Sequence, residues 1–247
     1  MLKKINDFYK AIRVIKKDVI AVNKDSEAPL TFIKIFHKEY PRLDSIYLPS
    51  VNPVGELEEA LKNRKSTRVF SKKPLDIKNA SLILNGCRIC ERDGFFERRT
   101  YPSAGARFPI EIYPIIFNVK GLERGAYHYN SNNQSLEFLL KKDLRGLTRD
   151  FVSPFIENPA LAIVMTSVIP RSEVKYGNKA YPFSLLEAGH IGQNISLLSA
   201  KYHIGCCAIG GYVDQTICQV LDLTKDEIPL YVLALGKIDE SQKDKNK

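Results

Sequence analysis

The amino-acid sequence predicts an α+β fold on three observations. Strand-like and helix-like stretches are mixed along the chain without the strict strand–helix–strand alternation of a parallel α/β fold. Two continuous apolar runs, at residues 160–168 and 229–236, have the length of buried strands. The chain has 247 residues, 44% of them hydrophobic, which is enough to bury a core without disulfides or metals.

Residues 1–50 are predicted to form an N-terminal arm. Residues 3–24 are rich in lysine and are expected to be helical, whereas three prolines further on interrupt regular structure. Residues 56–64 are strong helix formers with acidic residues first and basic residues last, the order that complements the helix dipole. A main domain at 51–238 and a charged tail at 239–247 complete the predicted organisation.

The first half of the predicted domain combines a second helix with three strands. Asp76 is a favourable N-cap for a helix that extends to about Cys90. Residues 110–118 are predicted to form a strand interrupted by a proline. Residues 125–130 and 135–140 have the pattern of a β-hairpin around a polar turn.

The clearest helix is predicted between the two buried strands. Ser184, followed by Glu187 three residues later, has the pattern of a capping box. Apolar residues then recur at spacings of three and four, which is typical of a helix with one buried face. These residues are Ala188, Ile191, Ile195, Leu198 and Tyr202. Gly205 is predicted to end this helix.

The formal net charge of +9 suits an anionic ligand, such as a phosphorylated cofactor or an acidic peptide. It does not by itself indicate nucleic-acid binding, because no nucleic-acid motif accompanies it and the chain has no tryptophan for base stacking. No stretch has the ~20 apolar residues of a membrane helix, and the N-terminus lacks an apolar signal core. The sequence therefore predicts a cytoplasmic protein without a nucleic-acid or membrane partner.

The five cysteines do not have the spacing of a disulfide framework, so a reducing compartment is expected. Cys87 and Cys90 form a C-x-x-C pair, which has the spacing of half a zinc site. A complete site would need a second pair, and only the adjacent Cys206 and Cys207 and the single Cys218 are left. We therefore expect thiols that pack as small hydrophobic groups, and no metal site.

Three short segments have compositions suited to ligand binding. Residues 64–68 place three cations and two hydroxyls directly after a helix, a mixture that forms charge-assisted hydrogen bonds to a phosphate. Residues 101–106 and 209–212 are rich in small residues, which let the backbone approach a flat ring closely. The alternatives are a basic helix end that faces water, an ordinary surface loop and a tight turn.

A fourth segment, residues 175–177 (Lys-Tyr-Gly), has side chains suited to proton transfer. The pKa of a lysine changes readily when the amine is desolvated, so lysine can act as a general base, and a neighbouring tyrosine can share the proton. The segment taken alone carries no specific signal. Dinucleotide-binding, P-loop and nucleophile-elbow motifs are absent from the sequence, which leaves those nucleotide-binding and hydrolase classes without support.

Taken together and in order, these segments resemble the nitroreductase-fold flavoproteins. Residues 61–70 are similar to the R-x-S-x-R-x-F opening of that family. Residues 99–113 are similar to the SagB-type branch, the azoline dehydrogenases of peptide pathways that form thiazoles and oxazoles. The resemblance covers about residues 32–238, and its further matching segments are 125–129, 175–177, 187–194 and 209–211.

The resemblance implies a nitroreductase-like fold with a central, mostly antiparallel sheet flanked by helices. It also implies a domain-exchanged homodimer with two FMN sites at the interface. The residues implied for the FMN phosphate and ribityl chain are Arg64, Lys65, Ser66 and Arg68, with Lys237 on the phosphate side. The residues implied to contact the flavin from the other subunit are Pro102, Ser103, Ala104 and Gly105. Gly210 and Gly211 are implied to lie by its reactive edge.

The same resemblance implies a catalytic role for Lys175 and Tyr176. They would form the base that takes a ring proton from a thiazoline or oxazoline while a hydride passes to the flavin. A modified peptide and a cyclodehydratase are the implied substrate and partner. Two segments depart from the branch near the presumed substrate side, and they leave the substrate itself open. These are residues 106–109 (Ala-Arg-Phe-Pro) and 179–182 (Lys-Ala-Tyr-Pro).

Two other functions are compatible with the same residues. An NAD(P)H-dependent nitroreductase or quinone reductase on this fold would be reduced rapidly by nicotinamide and would be indifferent to Lys175. A non-catalytic accessory protein would bind a flavin or a peptide without turnover, using its basic arm. Similarity of fold alone does not separate these functions, because function depends on the site.

Overall fold

The structure is a computed structural model that describes residues 2–13, 37–151 and 156–240. Parts of the predicted arm (1–50) and of the predicted charged tail (239–247) therefore lie outside the described residues. Within these ranges the chain forms a central sheet with helices on both faces. The predicted α+β class and the mostly antiparallel sheet are confirmed.

Six α-helices occur in the described ranges. They are α1 (Leu2–Ile12), α2 (Glu56–Asn63), α3 (Ile77–Leu84), α4 (Pro170–Tyr176), α5 (Ala180–Lys201) and α6 (Asp214–Leu221). Helix α3 begins as predicted, since Asp76 accepts a hydrogen bond from the Asn79 backbone N–H at 3.0 Å and the Asn79 side chain accepts one from the Asp76 N–H. Short 3-10 turns occupy Asn85–Cys87, Ala104–Ala106, Arg145–Asp150 and Gly177–Lys179.

Ten strands are described. They are β1 (Leu75–Asp76), β2 (Ile89–Asp93), β3 (Phe96–Arg99), β4 (Ile110–Ile116), β5 (Val119–Lys120), β6 (Gly125–Asn130), β7 (Ser135–Lys141), β8 (Leu161–Val168), β9 (Ile204–Ile209) and β10 (Glu227–Lys237). The central sheet has the order β7-β6-β4-β8-β10-β9, with every neighbouring pair antiparallel. Strands β1 and β5 pair in parallel, and β2 and β3 form a separate hairpin.

Strand β8 lies at the centre of the sheet and is covered on both faces. Alternate side chains of β8 enter two different hydrophobic clusters, with Leu161 and Ile163 on one face and Ala162 and Val164 on the other. The first cluster includes the buried side of α5, and the second includes residues of α6. A strand covered on both faces needs apolar residues throughout, which explains the continuous run in the sequence.

Helix α5 is longer than predicted and begins earlier. The capping box at Ser184 is wrong, because Ser184 lies inside the helix and its hydroxyl donates to the Ala180 carbonyl at 2.9 Å. Pro182 fits in the first turn, where its missing N–H leaves no helical hydrogen bond unmade. Gly205 does not end the helix, since it is the second residue of β9, where it pairs with Gly236.

The helix predicted from Asp76 to about Cys90 ends early. Regular α-helix stops at Leu84, and a 3-10 turn leads into β2, which begins at Ile89. The β2–β3 hairpin that follows is exposed over most of its residues, so it shows little of the apolar alternation by which strands are recognised in a sequence. In the ranges that the structure covers, no helix combines the length and apolar composition needed to cross a membrane.

Helix α1 attaches the start of the chain to the main sheet domain. The Tyr9 hydroxyl donates a buried hydrogen bond to Asp214 Oδ1 at 2.7 Å, at the first residue of α6. Burial raises the pKa of Tyr9, so the phenol stays protonated and acts as the donor. Ile5 packs beside it in a small cluster with Ile169 and Ile228.

Replacing Tyr9 by phenylalanine should destabilise the protein. The ring would still pack, but Asp214, which is 6% exposed, would lose a hydrogen-bond donor. Such a loss at a buried carboxylate costs about 1–3 kcal/mol of unfolding free energy. Urea unfolding of Tyr9→Phe measures this change, with the exposed Lys10→Ala as the control. Equal unfolding midpoints for Tyr9→Phe and the parent would contradict the role given to this bond.

Candidate active site

Cations from two distant parts of the chain line one large cavity. Its volume is about 960 Å³. Arg64 and Lys65 come from the segment after α2, and Lys237 is the last residue of β10. Ser196 and Ser199 of α5 add hydroxyl groups to the lining. Guanidinium, ammonium and hydroxyl donors in one cavity suit a ligand with a phosphate group.

The segment after α2 is fixed across the ends of β9 and β10. The Thr67 backbone N–H donates to the Cys206 carbonyl at 2.8 Å, and the Ser71 N–H donates to the Lys237 carbonyl at 2.8 Å. Phe70, between these two contacts, is 1% exposed. These contacts place the cations after α2 next to Lys237, although more than 160 residues separate them in the sequence.

Two paired glycines make room for the Phe70 ring. Gly205 of β9 lies opposite Gly236 of β10. A Cβ added at either glycine would lie 3.0 Å from Phe70 atoms, which is tighter than most real Cβ contacts, and one at Gly205 would also lie 2.9 Å from Thr67 Cγ2. Glycine at both positions therefore lets the ring lie close against the sheet. This packing holds the backbone on which Arg64 and Lys65 are mounted.

Ser66 and Arg68 belong to the same segment but are not part of the cavity lining. Ser66 forms an isolated bridge with Cys206, and the Arg68 carbonyl accepts a hydrogen bond from the Glu157 N–H at 3.0 Å. Burial raises the pKa of the Cys207 thiol, and the nearby Arg68 guanidinium opposes that rise. The structure thus brings Arg64, Lys65 and Lys237 together at the cavity and leaves Ser66 and Arg68 beside it.

Lys175 and Tyr176 form the end of α4 and pack against Gly105. Gly105 has a left-handed backbone with φ 56°, and a Cβ there would overlap the Tyr176 hydroxyl and lie 2.8 Å from Lys175 Nζ. The Tyr176 ring meets Phe183 edge-on, with a centroid separation of 5.1 Å. The structure therefore joins the predicted catalytic pair to the predicted flavin-contacting loop.

The other residues of that loop surround Gly105. Pro102 is exposed, and Ser103 and Ala104 are half-buried. The Ser103 hydroxyl accepts a hydrogen bond from the Phe108 backbone N–H at 2.9 Å, which closes the loop. We call residues 102–108 the Gly105 loop below. Its exposed backbone and small side chains leave one surface open to a ligand.

The two groups of predicted site residues lie at opposite ends of the sheet. Lys237 lies two residues beyond the pairing partner of Leu161, the first residue of β8. Helix α4 begins beyond the last residue of β8, and Ile110, which follows the Gly105 loop, pairs with Ser167 near that end. Because β8 has 8 residues and a strand rises about 3.3 Å per residue, at least roughly 25 Å separates the groups along the strands.

Gly210 and Gly211 directly follow β9. Gly210 is exposed, and no atom lies within 4 Å of the position that a Cβ would take there. A ligand can therefore approach the backbone at this point. The start of β9 borders the cation-lined cavity through Ile204 and Cys206, so an elongated ligand that runs along β9 could contact both.

Glu187 is a site residue whose role the sequence analysis missed. Instead of capping a helix, it lies inside α5 and is 2% exposed. Its Oε1 is buried without a hydrogen-bond partner among the described residues. Burial raises the pKa of Glu187 to about 7, and the nearby Ser103 hydroxyl, Arg99 guanidinium and Ile110 backbone N–H oppose that rise. The sequence offered one sign of this burial. Glu187 comes directly before Ala188, the first residue of the apolar face of α5.

The thiols show no arrangement for metal binding. Cys87 is buried and Cys90 is exposed, and all five cysteines are free. Burial raises the pKa of the Cys87 thiol to about 12 and that of Cys206 to about 11, so both stay protonated near neutral pH. Among the residues that the structure describes, no group of three or more His, Cys, Asp or Glu side chains could hold a metal ion.

A family model matches most of the sheet domain. It is the model of the nitroreductase family, and it spans residues 61–237. The chain belongs to the nitroreductase family. The matched region begins within α2, ahead of Arg64, and ends at Lys237, so it includes both groups of site residues. Membership of this nitroreductase family makes the protein an oxidoreductase.

Relatives that share sequence with this nitroreductase-family chain include MJ1384 and McbC. MJ1384 of Methanocaldococcus jannaschii, a protein named as a nitroreductase, is 28% identical over 195 residues, which are 78% of this chain and 96% of that protein. The microcin B17-processing protein McbC of Escherichia coli is 27% identical over 153 residues, which are 59% of this chain and 56% of McbC. The alignment with McbC thus spans little more than half of that relative.

Solved structures extend the comparison to the whole fold. A chain of the E. coli microcin synthetase McbBCD complex with truncated pro-MccB17 bound superposes with a TM-score of 0.75 and 22% identity. The match covers 97% of this chain and 93% of that one. The NADPH:FMN oxidoreductase from Vibrio harveyi, complexed with NAD+, has a TM-score of 0.52 and 15% identity, over 78% of this chain and 71% of that one. At these identities the similarity establishes the fold.

Replacing Gly105 by alanine should displace Tyr176 and Lys175. The new Cβ would occupy the space of the Tyr176 hydroxyl, and the left-handed backbone would add about 1–2 kcal/mol of strain. Gly94→Ala is a matched control, because Gly94 has φ 54° and no atom within 4 Å of its Cβ position. Both variants should lose similar unfolding free energy from strain, but only Gly105→Ala should lose turnover, by about tenfold or more. Equal turnover in the two variants would contradict the contact.

The buried Glu187 should make stability depend on pH. Its pKa is about 7 in the folded protein and 4.5 when exposed, so folding stability falls as pH rises through this interval. Glu187→Gln removes the titration, and its stability relative to the parent should therefore rise by up to about 3 kcal/mol between pH 5 and pH 8. Urea unfolding at both pH values measures the effect, with the exposed Glu59→Gln as the control. A constant difference across this range would argue against a buried, titrating carboxyl.

Proposed function

We propose that this protein is an FMN-dependent SagB-type dehydrogenase that oxidises thiazolines and oxazolines in a peptide to thiazoles and oxazoles. The observation that carries the proposal is the packing of Lys175 and Tyr176 on Gly105, which puts a candidate base beside a loop of small residues. The similarity to McbC, a microcin-processing protein, supports a peptide substrate.

FMN fits the donor groups of the cation-lined cavity. Its phosphate would be held by Arg64, Lys65 and Lys237, which present two kinds of cation to one space. Ser66 and Arg68 adjoin the same segment and would contact the phosphate or the ribityl chain. Gly210, at the other end of β9, has open backbone that a flat ring can approach, and Gly211 follows it. The flavin would extend along β9 between these two places.

The chain's own residues would supply the acid–base chemistry. FMN, when bound, accepts a hydride from the substrate. Lys175 Nζ would take the proton that the azoline ring loses, with the Tyr176 hydroxyl beside the same loop to share it. Pro102, Ser103 and Ala104 would form the wall that orders the reacting rings next to Gly105. Lys175 is exposed in the single chain, so a peptide can reach it.

A domain-exchanged homodimer would complete the site. The cation-lined cavity and the Gly105 loop lie at opposite ends of the sheet, at least roughly 25 Å apart along the strands. A second copy of the chain could bring its Gly105 loop and Lys175 to the flavin held by the first. Such an arrangement gives two equivalent sites, as expected of a closed two-fold dimer.

Partners and location follow from the same proposal. The fold match to a chain of the microcin synthetase McbBCD complex, with truncated pro-MccB17 bound, suggests a modified peptide as substrate and a cyclodehydratase as partner. The free thiols, including the exposed Cys90, suit the reducing environment of the cytoplasm. The proposal also includes the predicted division of the chain into an N-terminal arm at 1–50, a flavin-binding domain at 51–238 and a charged tail at 239–247.

A second candidate function is an NAD(P)H-dependent reductase. The fold similarity to the Vibrio harveyi NADPH:FMN oxidoreductase, complexed with NAD+, favours it. This function would use the same flavin cavity but would need no base at Lys175. The two candidates therefore differ in what reduces the flavin and in how much Lys175 matters.

Spectra of the purified protein separate these functions. Under anaerobic conditions the visible flavin bands should persist with NADPH and bleach when a thiazoline-containing peptide is added. Rapid bleaching by NADPH together with no response to the peptide would support the reductase instead. A protein that binds no flavin even after FMN is added would be the non-catalytic accessory protein.

Lys175→Ala should lower the rate of flavin reduction by the peptide about 10²- to 10⁴-fold, because a general base contributes that much. FMN content should stay unchanged, since Lys175 does not line the cation-lined cavity. Lys142→Ala is the control, since Lys142 is an exposed cation after β7, outside α4 and outside the lining of the cation-lined cavity. Stopped-flow absorbance measures both rates. Full activity of Lys175→Ala would remove the base from the proposal.

A further inference from the structure

Arg171 connects the helix that carries Lys175 to the loop on which Lys175 packs. It lies in the first turn of α4, four residues before Lys175, so the two side chains leave the same face of the helix. Arg171 Nη1 donates to the Phe108 carbonyl at 3.2 Å, and the Arg171 carbonyl accepts a hydrogen bond from Arg107 Nε at 2.6 Å. Arg171 therefore contacts both residues that close the Gly105 loop.

The Gly105 loop has a backbone that needs such support. Gly105, Ala106 and Phe108 all have left-handed φ values, of 56°, 52° and 44°. For residues with a side chain this conformation costs about 1–2 kcal/mol each. The Ser103 hydroxyl supplies one hydrogen bond within the loop. The Arg171 contacts act from outside and fix the loop relative to α4.

Arg171 is itself anchored in the sheet through Glu111. Its Nη1 lies 2.5 Å from Glu111 Oε1, and His128 Nε2 lies 2.9 Å from the second oxygen, Oε2. Burial alone would raise the pKa of Glu111, but His128 and Arg171 hold it below its usual value, so the carboxylate stays charged. His128 is in turn within 2.8 Å of Glu137 on β7. The Arg171 guanidinium thus joins the loop to Glu111 on β4, and His128 and Glu137 extend this chain of contacts to β6 and β7.

Helix α4 depends on contacts of this kind for its orientation. It has 7 residues, no side-chain cap at its N-terminus, and a left-handed Gly177 with φ 54° at its end. A helix this short is not stable by itself in water. Lys175 is exposed and has a flexible side chain, so its place relative to Gly105 is set by where α4 lies.

We propose that Arg171 is a positioning residue that holds Lys175 and Tyr176 against the Gly105 loop by tying α4 to Phe108 and Glu111. The inference rests on the proposed role of Lys175 as the base. Arg171 touches the loop and the sheet rather than the reacting atoms, so its effect on turnover passes through Lys175.

A double-mutant cycle tests this dependence. Arg171→Ala, Lys175→Ala and the double variant are compared as full chains loaded with FMN, using a synthetic thiazoline-containing peptide. Arg171→Ala should lower kcat about 10- to 100-fold while KM changes less than about threefold, because a misplaced base slows chemistry more than binding. The double variant should be no slower than Lys175→Ala. If the fold-loss of kcat in the double variant equals the product of the two single losses, the proposal is overturned.

Two further variants give the cycle its controls. Arg98→Ala removes another exposed arginine, paired with Glu91 at 3.0 Å, and should leave kcat unchanged. Arg171→Lys keeps the charge toward Glu111 and should recover part of the lost kcat. If Arg171→Ala does not fold, Glu111→Gln weakens the same anchor and enters the cycle with Lys175→Ala in its place. A Glu111→Gln effect that multiplies with Lys175→Ala would also overturn the proposal.

Amine labelling gives a second readout that needs no turnover. An amine-selective acetylating reagent and peptide mass spectrometry report the labelling rate of each lysine. In Arg171→Ala the rate at Lys175 should rise about threefold or more, since the amine is released from the Gly105 loop, while Lys179 should not change. Unchanged labelling of Lys175 would contradict positioning by Arg171.

The outcomes separate this inference from the proposed function. Full turnover of Lys175→Ala would remove the base, and with it both the proposed function and the inference. A loss in Lys175→Ala with normal kcat and labelling in Arg171→Ala would leave the proposed function standing and remove the role of Arg171 alone. A loss of kcat in both single variants, with no further loss in the double variant, supports both the proposed function and the positioning role of Arg171.

Discussion

The packing of Phe70 into the space left by Gly205 and Gly236 is the constraint on which the candidate flavin site depends. The ring fills a space that a Cβ at either glycine would crowd, at 3.0 Å from Phe70 atoms. Because Phe70 is fixed there, the backbone before it runs across the ends of β9 and β10 and brings Arg64 next to Lys237. A hydrophobic contact thus determines where charged side chains meet.

The opposite end of the sheet is organised by polar contacts instead. There Arg171 holds the Gly105 loop through hydrogen bonds with Phe108 and Arg107, and the buried Glu187 lies near Ser103 of the same loop. Charge-assisted hydrogen bonds are directional, so they can impose a left-handed backbone that side-chain packing alone would not select. The sheet keeps the two ends at a fixed separation. Strand β8 pairs with both β4 and β10 from Leu161, near one end, to Ser167, near the other.

Sequence patterns predicted the elements whose residues interact locally or are uniformly buried. The reciprocal cap at Asp76 and the two buried strands needed no knowledge of distant contacts. The capping box at Ser184 failed because packing extended α5 by a turn, and Gly205 was assigned to a helix end because its true partner, Gly236, is remote in sequence. For the same reason, only family resemblance grouped Lys237 with the cations after α2; spacing could not.

The cysteines differ in exposure, which permits selective labelling of one thiol. Burial keeps Cys87 and Cys206 protonated and covered, so maleimide and similar reagents reach them slowly. Cys90, by contrast, is exposed on the β2–β3 hairpin, outside the cation-lined cavity and the Gly105 loop. A fluorophore attached there would report on encounters of the hairpin with other proteins while the groups assigned to chemistry stay unmodified.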